Sequence, residues 1–274
     1  MTDQDRETVK QEVNIVFHSA ATVKFDEELS RAASMNVRGT RELMDLAKQM
    51  EKLISFVHVS TCYTHCHIEN QVFQEKINPP EKFSVKEVLD MCGGEKKLTF
   101  LSATKLNPLM EMSYFAETIN EEQTKKVIGD RPNTYSFTKA ITEQMIKEDC
   151  GDLPISIVRP SIVVGAVSEP LPGWVDNING PTSVGVFISQ GVLKCIYNKP
   201  NKVADIIPVD IVINLMCAVA FKTAGQYNKK TGKRPSEIPV YNCNSGSDNP
   251  MTWGQLWTWW TEACNRWPSD TAVM

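Results

Sequence analysis

Ile155-Ser156-Ile157-Val158-Arg159-Pro160-Ser161-Ile162-Val163-Val164-Gly165 is the stretch whose reading decides the fold. β-Branched residues dominate it, so it reads as one strand buried on both faces that runs into a loop, and such strands belong to parallel sheets covered by helices. Just upstream, Gly151 and Pro154 end a helix. The spacing of Ala140, Ile141 and Met145 turns those residues inward and sends Glu143, Lys147 and Glu148 outward. Further back, residues 53–59 form another strand that ends at Ser60-Thr61. Residues 26–50 form a long helical stretch, with Gly39 as a break or a close-packing point, and residues 13–17 a first short strand. Strand, helix and strand in alternation build a parallel α/β sheet.

The helix before the deciding strand carries Tyr135-Ser136-Phe137-Thr138-Lys139. Residues four apart on a helix are neighbours, so a phenol and an ammonium share one face. A cation beside a phenol favours the phenolate, so the spacing predicts a lowered Tyr135 pKa and a proton donor or acceptor usable near neutral pH. Ligand crevices of open α/β sheets lie at the ends of their strands. Pro160 and Gly165 there either bring rigid backbone close to a flat ring or simply form a turn.

The 274 residues, 42% of them hydrophobic, suffice for one large α/β domain or one domain with a small appendage. With 29 Lys and Arg against 33 Asp and Glu, the formal charge is −4, which gives no electrostatic footprint for nucleic acid. Lys229-Lys230 and Lys233-Arg234 read as solvated loop charge. The first ten residues contain no apolar core of a secretory signal, and eight scattered cysteines are expected to be reduced thiols. The longest apolar run, 211–221, falls short of a membrane span and reads as a buried helix with Asp210 as its N-cap. His58, Cys62, His65, Cys66 and His67 crowd into ten residues, but without paired knuckles they read as structural cysteines and surface histidines, not a metal site.

Between 64 and 133 lies a long insert with Pro79-Pro80, Gly93-Gly94 and helices expected at 84–91 and 110–127. It is either a lid or substrate-binding element over the crevice or a surface elaboration. From about 166 the chain supplies a turn-dense loop at 169–181, a helix at 184–193, a strand at 240–244 and a helix of tryptophans after Asn249-Pro250.

No G-x-G-x-x-G or G-x-x-G-x-x-G occurs, although such a turn normally holds a dinucleotide pyrophosphate at a helix N-terminus. Even so, His18-Ser19-Ala20-Ala21-Thr22, Asn36-Val37-Arg38-Gly39-Thr40, Val59-Ser60-Thr61, Tyr135 to Lys139 and Arg159-Pro160-Ser161 together resemble an extended short-chain dehydrogenase/reductase. Glu169-Pro170-Leu171-Pro172-Gly173-Trp174, Asn179-Gly180-Pro181, Asp205 to Asp210 and Asn249 to Gly254 narrow the resemblance to the alcohol-forming fatty acyl-CoA reductases.

The resemblance implies one partial reductase domain over 1–274, with the insert at 64–133 and a substrate-side portion from about 166. Its fold would be a partial Rossmann-like parallel sheet with flanking helices, without the first strands, their glycine-rich turn and the family's C-terminal domain. It implies NADPH-dependent reduction of long-chain acyl-CoA to fatty alcohol. Tyr135 would be the acid, Lys139 its modulator and ribose ligand, Thr61 or by one residue Ser60 the hydroxyl on the alkoxide, and Asn36 a relay residue. His18, Ser19, Ala20, Ala21, Tyr135, Lys139, Pro160 and Ile162 would border the cofactor. An endoplasmic reticulum or peroxisomal membrane is the implied location. The other reading is a noncatalytic fragment acting as an interaction module.

Overall fold

The computed structural model describes residues 1–69, 71–78, 82–93, 119–227 and 235–270, so Pro79-Pro80, Gly94, the first half of the helix expected at 110–127 and the basic pairs at 229–234 lie outside the described residues. The chain divides into two units, Met1–Arg159 with Ala218–Tyr241, and Pro160–Cys217 with Asn242–Met274.

The first unit opens with helix α1 (Asp3–Glu12) and strand β1 (Ile15–His18). Helix α2 (Leu29–Ala33) continues through a π-helical turn at Ser34–Arg38 into α3 (Gly39–Ala47). Strand β2 (Ser55–Val59) ends in a 3₁₀ turn at Cys62–His65. Helices α4 (Val85–Met91), α5 (Glu121–Ile128) and α6 (Thr134–Asp149) lead to β3 (Ile155–Pro160).

Local chemistry sets these boundaries. Ser84 with Glu87, and Asn120 with Gln123, form reciprocal capping boxes that satisfy the first free N–H groups of α4 and α5. β1 pairs with β2 and β2 with β3, all parallel, with His18 opposite His58. β6 (Val240–Cys243) completes the order β1-β2-β3-β6. The helix, strand and sheet classes are those read from the sequence. Leu29, Val37, Met44, Phe56, Ile141 and Ile155 centre the core, which lies in this unit.

In the second unit, β4 (Ile162–Val164) pairs parallel with β5 (Ile206–Pro208), separate from the four-stranded sheet. The deciding stretch is therefore two strands, not one strand and a loop. Pro160 has no N–H to offer. The next two amides then diverge, Ser161 donating to the Cys243 carbonyl at 2.9 Å and Ile162 to that of Asp205 at 3.2 Å.

Helix α7 (Pro181–Ser189) starts before the expected 184 because Pro181 suits a first helical position and Gly180 takes φ +53° ahead of it. Gly165 lets backbone pass closely, since a Cβ there would meet the Trp174 carbonyl oxygen at 3.2 Å. Helix α9 (Trp253–Arg266) is capped by Thr252 and Gln255.

The apolar run at 211–221 needs two corrections. Helix α8 spans Val209–Gln226, 18 residues, and is the one helix among the described residues long and apolar enough to cross a membrane. Nor is it buried all round: Val212, Met216 and Val219 are inside, whereas Ile211, Ile213 and Phe221 are exposed. Asp210 lies within the helix rather than capping it. Its carboxylate accepts the Val167, Ser168 and Glu169 N–H groups at 2.9–3.2 Å and the Ser168 hydroxyl. Burial pushes the Asp210 carboxyl up, but these donors outweigh it and hold the carboxyl well below the ordinary range.

Candidate active site

The site is built where α6 crosses the end of β2. Asn133 starts α6 by accepting the Ser136 N–H at 2.8 Å, which puts Tyr135 in the first turn and Lys139 and Glu143 at successive turns of one face. Lys139 is only 4% exposed. Its Nζ reaches the strand end and donates to the Val59 carbonyl at 2.8 Å, leaving two of its three N–H groups for other acceptors.

Strand alternation left Ser60 and Thr61 as alternatives, and the side chains divide them. Thr61, with extended backbone at φ −155°, caps the 3₁₀ turn by accepting the Tyr63 N–H at 3.2 Å. Its hydroxyl also bonds the Tyr135 phenol. Ser60 turns the other way and donates to Glu143 Oε1 at 2.5 Å. Tyr135 is half-buried, with the Phe25 ring 5.6 Å away centroid to centroid.

The expected electrostatics of the Tyr135–Lys139 pair is corrected by these contacts. Burial raises the phenol above its ordinary value and the Thr61 hydrogen bond only partly offsets this, with no contribution from Lys139, whose ammonium is drawn to Val59. Lys139 itself is pushed down to about 8 by burial, against the opposing pull of Glu143. The pair is a neutral phenol beside a lysine poised near neutral pH.

Glu143 is corrected as well, being 1% exposed where an outward position was expected. It accepts Arg159 Nε at 2.8 Å and Arg159 Nη2 at 2.5 Å in a two-pronged ion pair, in addition to the Ser60 hydroxyl. Lys147 and Glu148 do face solvent.

Asn36 sits in the π-helical turn with its amide fully used. Its Oδ1 accepts the Thr22 N–H at 2.9 Å, and its Nδ2 donates to the Thr138 hydroxyl at 3.0 Å and the Thr22 carbonyl at 3.3 Å. Its main-chain carbonyl accepts the Thr40 and Thr142 hydroxyls at 2.6 and 3.0 Å. These bonds tie the loop after β1 to α6.

His18 does not line the loop beyond β1. Its ring is buried, with Nδ1 3.0 Å from His58 Nδ1. Burial, then the Lys139 charge, lowers His18 to about 4, and burial with the Lys139 and His18 charges puts His58 well below its ordinary value, so both rings are neutral. Ser19 and Ala20 are exposed and Ala21 is half-buried. Pro160, the last residue of β3, and Ile162, the first of β4, belong to the second unit. Among the described residues no three His, Cys, Asp or Glu side chains group as a metal would require, and all eight cysteines are free.

Sequence reasoning missed Glu143, Arg159, Thr138 and Phe25. One signal was available: Glu143 stands four residues beyond Lys139, on the same face as the Tyr and Lys.

An NAD-binding family model described as male sterility protein matches residues 1–216. The chain belongs to this male sterility protein family. It is 37% identical over 259 residues to fatty acyl-CoA reductase 1 of Pongo abelii, in an alignment covering 93% of the chain and 44% of that protein. The chain thus spans less than half the length of the curated relatives it matches, and the resemblance read from its residues is the one they show. Among solved structures, the terminal R domain of the myxalamid biosynthetic pathway is similar at TM-score 0.54 and 16% identity, over 96% of this chain and 50% of that one. A UDP-glucose 4-epimerase is similar at TM-score 0.55 and 20% identity, over 96% of this chain and 66% of that one. The male sterility protein chain therefore has a Rossmann-like α/β fold.

Proposed function

We propose that this chain carries the proton-donating part of an enzyme that reduces long-chain fatty acyl-CoA to fatty alcohol with NADPH. The observation that carries the reading is the Thr61–Tyr135 hydrogen bond, with Lys139 one turn on, at the end of a parallel strand. The named fatty acyl-CoA reductases among its relatives support the substrate and the reaction.

The cofactor would supply hydride to the substrate carbon. Tyr135, kept protonated by burial, gives its proton to the oxygen that becomes negative as hydride arrives, and the Thr61 hydroxyl holds that oxygen in place. Lys139 has two N–H groups left for the ribose hydroxyls, and the small exposed Ser19 and Ala20 leave space for the cofactor on that side, with Ala21. His18 is occupied with His58 and supports the β1 end from behind. Asn36 holds Thr22 and α6 in register. Pro160 and Ile162 border the nicotinamide in this reading, on the strength of the family resemblance alone.

Titrating the purified chain with NADPH while following nicotinamide fluorescence tests it. Saturable binding that weakens in Lys139→Ala supports the reading. An unchanged signal up to millimolar cofactor defeats it for this chain and favours the alternative, a noncatalytic interaction module. One observation favours that alternative: β1 is a sheet edge whose Ile15 and Phe17 are 40% and 46% exposed, a template for strand addition.

A further inference from the structure

The buried carboxylate of Glu143 is used by no step above, yet it touches more of the site than any other side chain. On α6 it lies one turn beyond Lys139 and two beyond Tyr135. Ser60, which it holds through its hydroxyl, is the residue before Thr61 at the end of β2. Arg159, which it holds with two hydrogen bonds, stands at the end of β3, and Arg159 Nη2 also donates to the Lys76 carbonyl at 3.1 Å.

We propose that Glu143 is the positioning residue of this site, fixing the helix of Tyr135 and Lys139 to the ends of β2 and β3 and keeping the Lys139 ammonium charged. The proposal rests on the assignment of Lys139 to the reaction, and it adds a residue that assignment does not contain. The geometry leaves Glu143 as the one anion facing Lys139 among the described residues. From α6 the other titratable neighbour is Tyr135, protonated. From β1 and β2 come His18 and His58, neutral, and from β3 comes Arg159, already bound by Glu143.

An ammonium surrounded by apolar burial, a neutral phenol and neutral imidazoles loses its proton easily. Burial takes Lys139 down to about 8, and Glu143 is the group that opposes a further fall. Without that carboxylate, Lys139 would be largely uncharged at neutral pH and lose its charge-assisted bond to a ribose hydroxyl. The ion pair would thus do two jobs with one group: place the strand ends and set the charge of the lysine between them.

The test is the titration of Lys139 in the cofactor-free chain, followed by NMR of lysine labelled at its ε-carbon with ¹³C and assigned by the signal lost in Lys139→Met. The expected wild-type midpoint is about 8. In Glu143→Gln it falls by about one pH unit or more. Glu143→Gln alone strands the Arg159 charge, so the double variant Glu143→Gln with Arg159→Gln, a neutral hydrogen-bonding pair, is measured beside it. A lowered midpoint in the folded variants supports the proposal, whereas a midpoint within about 0.2 units of wild type in either folded variant overturns it. A residue that only braced the fold would lower the unfolding midpoint without moving the lysine titration. Because no cofactor or substrate is present, this result stands apart from the NADPH titration that decides the reductase reading.

Discussion

The two units handle polarity in opposite ways. The first hides Lys139, Glu143, Arg159, Asn36, His18 and His58 in its interior. The second leaves Leu171, Ile178, Phe187, Val192 and Tyr197 on its surface, the last 92% exposed. Buried charge is tolerated only with partners, and the interior groups have them. Exposed apolar area costs free energy until something covers it, so that surface has the character of a binding face rather than a finished exterior. The first unit spends stability on fixing geometry, and the second leaves surface for contact.

Tyr135→Phe gives the largest expected effect on that contrast. It should lower acyl-CoA-dependent NADPH oxidation by about 10²–10⁴-fold while leaving NADPH affinity within about twofold, because only the proton is lost. Equal turnover in the variant would strip the first unit's polar interior of its chemical meaning.

Arg159→Met comes next. It leaves the Glu143 carboxylate buried without its cation and should cost about 3–5 kcal/mol, read from urea unfolding. A cost below about 1 kcal/mol would place the pair in a far wetter setting than its 2.5 and 2.8 Å bonds imply.

Acid should act through the histidines. His18 stays neutral in the fold down to about 4 but takes a proton in the unfolded chain near 6.5, so the unfolded state binds more protons between these values. Stability should therefore fall as pH drops from about 6.5 to about 4, by on the order of 3 kcal/mol from this ring. His18→Asn should flatten the slope of unfolding free energy against pH in that window.

Much of this contrast was legible in advance, and the reasons for the remainder are particular. The β-branched runs in β2 and β3 marked the strands, and Asn133 and Ser84 marked helix starts through their side-chain oxygens. Ser60 and Thr61 could not be separated, because alternation says that one faces the crevice and not which one. Glu143 was placed outside because charged residues on helices usually are; only the arrival of Arg159 from a strand sixteen residues on makes burial affordable. Asp210 looked like a cap for the same kind of reason, since its real partners, at 167–169, are more than forty residues away in sequence. Long-range pairing is what a local pattern does not contain.

Two smaller effects sharpen the second unit's side of the comparison. Asp210→Asn replaces an acceptor by a group that also donates, so the amides of Val167, Ser168 and Glu169 should exchange hydrogen about tenfold faster. Tyr197→Ser, on the exposed face, should change stability by no more than about 0.5 kcal/mol in the same urea experiment. A larger loss would mean that this surface is already covered in solution.

The π-helical turn at Ser34–Arg38 has a consequence for how the sequence can change. It closes with the Gly39 N–H on the Ser34 carbonyl, five residues back instead of four, so the helix holds one residue more than its pitch requires. Deleting a single residue there would restore ordinary winding and turn everything beyond by about 100° relative to the residues before it. Thr40, Met44 and Ala47 would swing out of the core, and the Asn36 anchor would lose its register with Thr138. The chain can be expected to accept substitutions in this turn far more readily than a change in its length, making residue count, rather than residue identity, the inherited quantity at that point.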